Sequence, residues 1–283
     1  MCALPVFTHA DGPSRPAERF LGPKTVVAPE GRDSTVKVLA VVPVRYEASR
    51  FPGKPLADLN GRPLVQWVYE AAVSCTDYDD VIVATDNEEI AARVRGFGGR
   101  VELTRNDHPS GTDRVAEVAE RHADADVVVN VQGDLPFVVP QMLRALVLPY
   151  LTGERPAMTT LACPIVDLAA WTNPNVVKVV RGIDGYALYF SRSSIPHGAV
   201  DAGAQVEPLH HLGLYAFTRE TLLRLRTLSP TPLEQQERLE QLRALEHGVH
   251  ILVCETDRPL VEVNTPEDLE QARRLVPQGV VVP

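Results

Sequence analysis

Residues 36–56 read VKVLAVVPVRYEASRFPGKPL, and this stretch decides the fold. Its first eight residues, Val36 to Pro43, are almost wholly apolar and rich in valine. A short apolar run without alternation predicts a strand covered on both faces, as in a parallel sheet. The chemistry changes directly afterwards, where Arg45, Arg50 and Lys54 gather around Gly53. In α/β sheets, ligands bind in the crevice beyond the carboxyl ends of the strands. Three cations at that place suit the phosphates of a nucleotide, and backbone N–H groups at Ala48 and Ser49 are candidate further donors. The loop lacks the G-x-x-x-x-G-K-[ST] spacing of a Walker-type loop. A solvated basic loop is the plain alternative.

Working outward, Val/Ile-rich runs alternate with helical patterns. Pro63 to Val73 has apolar residues at helical spacing, with Pro63 suited to a first turn. Asp80 to Ala84 is the next strand. Asn87 to Phe97 is a helix ended by Gly98 and Gly99, and Thr112 to His122 another. Val127 to Val131 is a third buried strand, followed at once by Gln132-Gly133-Asp134. The β-α-β-α order predicts an α/β, Rossmann-like fold with a mainly parallel mixed sheet flanked by helices.

The second half reads as an antiparallel extension or small subdomain over about 157–217, from strand-like pieces at 157–166, 175–181, 185–190 and 211–217. Leu233 to His247 predicts one long helix, and Val249 to Cys254 a strand. Thr265-Pro266-Glu267-Asp268 opens a last helix with a cap, a first-turn proline and acids near the positive helix end. Residues 1–34, rich in Pro, Gly and charge, read as a flexible tail, and 277–283 as a loose C-terminus, leaving 35–276 as the folded domain.

The formal charge of −9 over 283 residues argues against a general nucleic-acid or anionic-membrane binder. Cys2, Cys75, Cys163 and Cys254 are scattered, with no C-x-x-C pair. Reduced thiols and a cytoplasmic setting are expected, since no signal segment or membrane-length apolar run is visible.

The loop residues and their companions resemble the 3-deoxy-manno-octulosonate cytidylyltransferases (CMP-Kdo synthetases). The match runs in order through VIVATDNEEI, TRNDHPSGTDR, VNVQGD, NPNVVKVV, GYALYFSRSSIPH, HHLGLYAF, LEQLRAL and VNTPEDLE. It spans roughly Val38 to Leu275. The resemblance implies CTP as donor, a small anionic acid as acceptor, Mg2+ as cofactor and a homodimer. Arg45, Ala48, Ser49, Arg50 and Lys54 would hold the nucleotide phosphates, with Arg45 and Lys54 acting on the departing group. Arg105 and Ser110 match residues that contact the cytosine, although Ser110 could equally cap the following helix. Asp134 matches a metal aspartate, in keeping with the preference of Mg2+ for one or two carboxylates plus phosphate oxygens. Gln132 matches a polar contact to nucleotide or acceptor. Arg192, His211, Tyr215, Glu240 and Gln241 fall where the family binds its acceptor; each is otherwise an ordinary structural residue.

The sequence departs from the family pattern at three places. Asn264 stands where the family has a second metal aspartate, Leu135 where it has Glu, and His210 where it has Arg. Two lost carboxylates at one cation site suggest an acceptor that brings more charge of its own. Phosphonoformate, from a phosphonate-activating branch, is the preferred candidate on that reasoning. Kdo itself and a non-catalytic nucleotide-binding role are the alternatives. A glycosyltransferase would want an Asp-x-Asp motif after a strand, whereas Asp124-Ala125-Asp126 precedes one.

Overall fold

The computed structural model describes residues 35–47, 50–199 and 206–275. The predicted tail at 1–34, the terminal segment at 277–283, and Ala48 and Ser49 lie outside the described residues. The first half runs β1 (Val38–Pro43), β2 (Asp58–Leu59), β3 (Arg62–Pro63), α1 (Leu64–Val73), β4 (Asp80–Thr85), α2 (Glu88–Gly96), β5 (Val101–Leu103), α3 (Gly111–Arg121), β6 (Val127–Asn130) and α4 (Pro140–Leu151). The second half runs β7 (Met158–Pro164), α5 (Leu168–Thr172), β8 (Lys178–Arg181), β9 (Ala187–Ser191), β10 (Leu209–Thr218), α6 (Arg219–Leu225), α7 (Pro232–Glu237), α8 (Gln241–Glu246), β11 (Ile251–Glu255) and α9 (Pro266–Leu275).

The main sheet has the order β11-β7-β10-β6-β1-β4-β5, with β8 and β9 attached to it through β10. Strands β6, β1, β4 and β5 are mutually parallel, and β10 runs antiparallel to both β6 and β7. Every residue of β1 is buried. Its side chains divide by strand alternation: Val38, Ala40 and Val42 enter one core with α1 and α4, while Leu39 and Val41 enter a second core with α3, α6 and α8. A strand covered on both faces has no polar face to show, which is why its sequence does not alternate. The antiparallel extension expected over 157–217 is present and hydrogen-bonded into this same sheet.

Register sets the site. Pro43 lies beside Ala84 and Val41 beside Asn130, so β1, β4 and β6 all end at one rim. Antiparallel pairing then brings Tyr215 of β10 opposite Asn130, at that same rim. Gly133 allows the turn after β6 to close against β1: a Cβ there would meet Val44 Cγ1 at 2.3 Å.

One expectation fails. The single helix predicted over 233–247 is two helices, α7 and α8, because Arg238 adopts the left-handed conformation (φ 55°, ψ 49°). The reason is non-local. Glu237 accepts hydrogen bonds from Ser191 Oγ at 2.6 Å and Arg192 N at 2.9 Å. Leu239 is buried. The chain turns to satisfy both, and the turn delivers Glu240 and Gln241 to the start of α8.

Candidate active site

A cleft of about 310 Å3 lies at the rim, a size suited to a small ligand. Arg45, Arg50 and Lys54 line it from the loop after β1, and Gln132, Gly133 and Asp134 from the turn after β6. Ser110, Gly111 and Arg114 come from the start of α3, and Asn264 from the segment before α9. Lys54 Nζ donates to Asp134 Oδ2 at 2.9 Å and to Asn264 Oδ1 at 3.4 Å. Arg50 Nη2 reaches the same Asn264 oxygen at 3.5 Å. Val263 N donates to Asp134 O at 2.9 Å, tying the two acidic segments together through the backbone.

The first-strand loop, the third-strand turn and the final-helix segment are thus brought to one place. Asp134 and Asn264 already turn oxygen atoms toward a shared cation, the Lys54 ammonium. That donor set fits Mg2+, which takes carboxylate and carbonyl oxygens and fills its remaining positions with water and phosphate. Among the described residues no cluster of three or more His, Cys, Asp and Glu side chains forms a self-sufficient cation cage.

Ser110 is the cap of α3 and also a cleft residue; its hydroxyl accepts from Asp113 N at 3.2 Å. His108, also at the cleft, is hydrogen-bonded to Glu117. Arg105 stands outside the lining. Its guanidinium is exposed and pairs with Asp107 at 3.2 Å, while its backbone N–H donates to Glu117 at 3.1 Å. Arg114, within the TRNDHPSGTDR motif, is a further cleft residue. It is buried and lies 3.4 Å from Asp86.

Gln132 also lines a second cavity, together with Thr112, Asp113, Tyr215, Glu240, Gln241 and Arg243. Its Nε2 donates to Asn130 Oδ1 at 3.0 Å, which holds the amide between the two spaces. Burial raises the Tyr215 phenol well above its ordinary value, so it remains a neutral hydroxyl. Burial also raises the Glu240 carboxyl, against the opposing effect of the Thr112 and Ser110 hydroxyls.

His211 supports this wall from behind. It is buried, 3.0 Å from Thr160 Oγ1 through Nε2 and 3.5 Å from Gln241 Nε2 through Nδ1. Burial, then neighbouring His210, pushes its imidazole down to about 3. Arg192 stands apart: its guanidinium donates to the backbone carbonyls of Glu237, Pro174 and Arg238. Lys178, fully buried, similarly donates to the carbonyls of Asn173, Val176 and Arg192. Both side chains brace the second wall without lining its cavity.

Two readings of the departures change. Leu135 is buried in the core with residues of α4 and does not line the cleft. Near Asn264, moreover, a carboxylate is present that sequence reasoning missed: Asn264 Nδ2 donates to Glu262 Oε2 at 2.9 Å. Packing around that carboxyl and the charge of Asp134 raise it above its ordinary value, although the residue as a whole remains open to solvent. The Asp124-Ala125-Asp126 triplet is bound to Lys37 at the opposite end of β6, far from the strand ends that build the cleft.

A family model described as cytidylyltransferase matches residues 39–251. A 3-deoxy-manno-octulosonate cytidylyltransferase of Acaryochloris marina is 55% identical over 245 residues, covering 87% of this chain and 99% of the relative. Its counterpart in Synechococcus elongatus is 48% identical over 237 residues, covering 84% and 97%. Among solved structures, a CMP:2-keto-3-deoxy-manno-octonic acid synthetase complexed with CTP superposes with a TM-score of 0.80 at 39% identity, covering 84% of this chain and 98% of the other.

Proposed function

We propose that this chain, which belongs to the cytidylyltransferase family, transfers CMP from CTP to 3-deoxy-manno-octulosonate (Kdo) and releases pyrophosphate. One observation carries the reading: a cationic cleft and a second cavity, lined by both polar and apolar side chains, meet at Gln132. The similar proteins are described as Kdo cytidylyltransferases, which supports Kdo in place of the phosphonate expected from the sequence. The premise for a phosphonate was two missing carboxylates. Leu135 lies in the core, and Glu262 stands beside Asn264.

In this reading Arg45, Arg50 and Lys54 hold the β- and γ-phosphates of CTP and steady the departing pyrophosphate, where fixed charges act without reorganisation. Ser110 and Gly111 face the base and sugar at the start of α3. Tyr215, Glu240 and Gln241 bind the acceptor's hydroxyl and carboxyl groups, and Gln132 aligns its attacking oxygen with the α-phosphorus. The acceptor hydroxyl gives up its proton to solvent, the new P–O bond forms as the α–β phosphoanhydride bond breaks and pyrophosphate leaves, and most of the catalysis is positioning. Mg2+ held by Asp134 and Asn264 Oδ1 would neutralise phosphate charge beside the attacking oxygen. Exposed Val166, Leu168, Ile183 and Leu188 support a homodimer formed over the β8–β9 edge. No described helix is long and apolar enough to cross a membrane.

The test is pyrophosphate release by the full chain with CTP and Mg2+, offered Kdo or phosphonoformate in parallel. Release with Kdo alone is expected. Release with phosphonoformate alone would replace the acceptor. CTP binding without release for any acid would favour a non-catalytic role.

A further inference from the structure

Residues 262–264 read Glu-Val-Asn, and Val263 is fully buried. Side chains two positions apart on an extended segment share a face, opposite to the residue between them. With Val263 turned into the core, Glu262 and Asn264 face outward together, and Asn264 lines the cleft with Lys54 and Asp134. The hydrogen bonds agree. Asn264 presents Oδ1 to the Lys54 and Arg50 cations and turns its Nδ2 to Glu262 Oε2. The amide is oriented by one anion and two cations, its nitrogen toward the carboxylate and its oxygen toward the ammonium and guanidinium.

A neutral amide oxygen is a weaker partner for Mg2+ than a carboxylate, and Asp134 alone leaves the protein side of the site with a single negative charge. We infer that Glu262 supplies the second carboxylate of the metal site, taking over in this chain the charge that Asn264 lacks. Asn264 then holds Glu262 in place through Nδ2 and offers Oδ1 as a neutral ligand. The inference rests on the Mg2+ reading above, and adds to it a residue two positions away from the family's motif. Glu262 remains open to solvent, as a ligand to an exchangeable ion must.

The test reads metal binding directly. The full chain, with non-hydrolysable α,β-methylene CTP, is titrated with Mn2+ as a substitute for Mg2+, and free Mn2+ is followed by electron paramagnetic resonance. Asp134→Asn serves as the control for the site. Glu262→Gln is expected to weaken Mn2+ binding by about ten-fold or more, and Glu262→Gln combined with Asn264→Asp to bring it back to near the parent value. Glu262→Gln that binds Mn2+ within about two-fold of the parent overturns the inference, as does a loss that Asn264→Asp fails to restore. Parent protein with no Mn2+ binding sensitive to Asp134→Asn overturns the Mg2+ reading itself, a result separable from the first two.

Discussion

The Lys54 ammonium lies 2.9 Å from Asp134 Oδ2, and the same nitrogen reaches Asn264 Oδ1 at 3.4 Å. One cation thus joins the loop after β1, the turn after β6 and the segment before α9. In the proposed reaction this ammonium would meet the CTP phosphates, and the oxygens beside it would be open to Mg2+.

Lys54→Ala should therefore lower kcat/KM for CTP by about 100-fold or more, the loss typical of removing one preorganised charge from a transition state. Steady-state pyrophosphate release checks this. Activity within about ten-fold of the parent would remove Lys54 from the reaction.

The second cavity should govern the acceptor alone. Glu240→Gln exchanges a carboxyl for an amide in its lining and Tyr215→Phe removes a hydroxyl, both at residues that do not line the cationic cleft. The KM for Kdo should rise by about ten-fold in each, in line with about 1–2 kcal/mol for an unmade hydrogen bond. The KM for CTP should stay within about two-fold. Equal shifts for both substrates would mean that the two cavities do not divide donor from acceptor.

Gly133→Ala should be costly for a steric reason, since its Cβ would stand 2.3 Å from Val44 Cγ1. A loss of about 1–3 kcal/mol in denaturant unfolding is expected from overpacking, with reduced activity as Asp134 shifts. Val44→Ala in the same chain should recover part of the stability. No recovery would show that the contact with Pro43 O, at 3.2 Å, dominates.

His211 gives a pH signature. Its folded value, about 3, lies below the ordinary 6.5. Between these values the unfolded chain holds a proton that the folded chain does not, so stability is complete above pH 6.5 and is lost as pH falls toward 3. His211→Asn should flatten the decline of unfolding free energy between pH 6.5 and 4 by up to about 1.4 kcal/mol per pH unit. Parallel curves for parent and variant would show that His211 is not held neutral.

Much of the fold was legible because its signals are local. The apolar runs at β1, β4 and β6 declare strands buried on both faces, and the Thr265 cap declares α9: its Oγ1 accepts from Asp268 N at 3.2 Å. The loop cations and Asp134 were legible because they follow such strands directly. The break between α7 and α8 was not, since the carboxylate that makes it, Glu237, is satisfied by Ser191 and Arg192, more than forty residues away in the chain.

What the sequence by itself determined was the donor half: buried strands followed by cations and a carboxylate, in an order that a parallel sheet must bring to one rim. The tertiary structure decided how the departures from the family pattern are read. Leu135 and Asn264 look alike in sequence, each an acid replaced by a neutral residue. Burial sends Leu135 into the core, whereas pairing with Lys54 and Glu262 keeps Asn264 at the cation site. The direction in which a side chain points depends on packing against residues distant in sequence, and a carboxylate two positions along acquires meaning only once Val263 is seen to be buried between them.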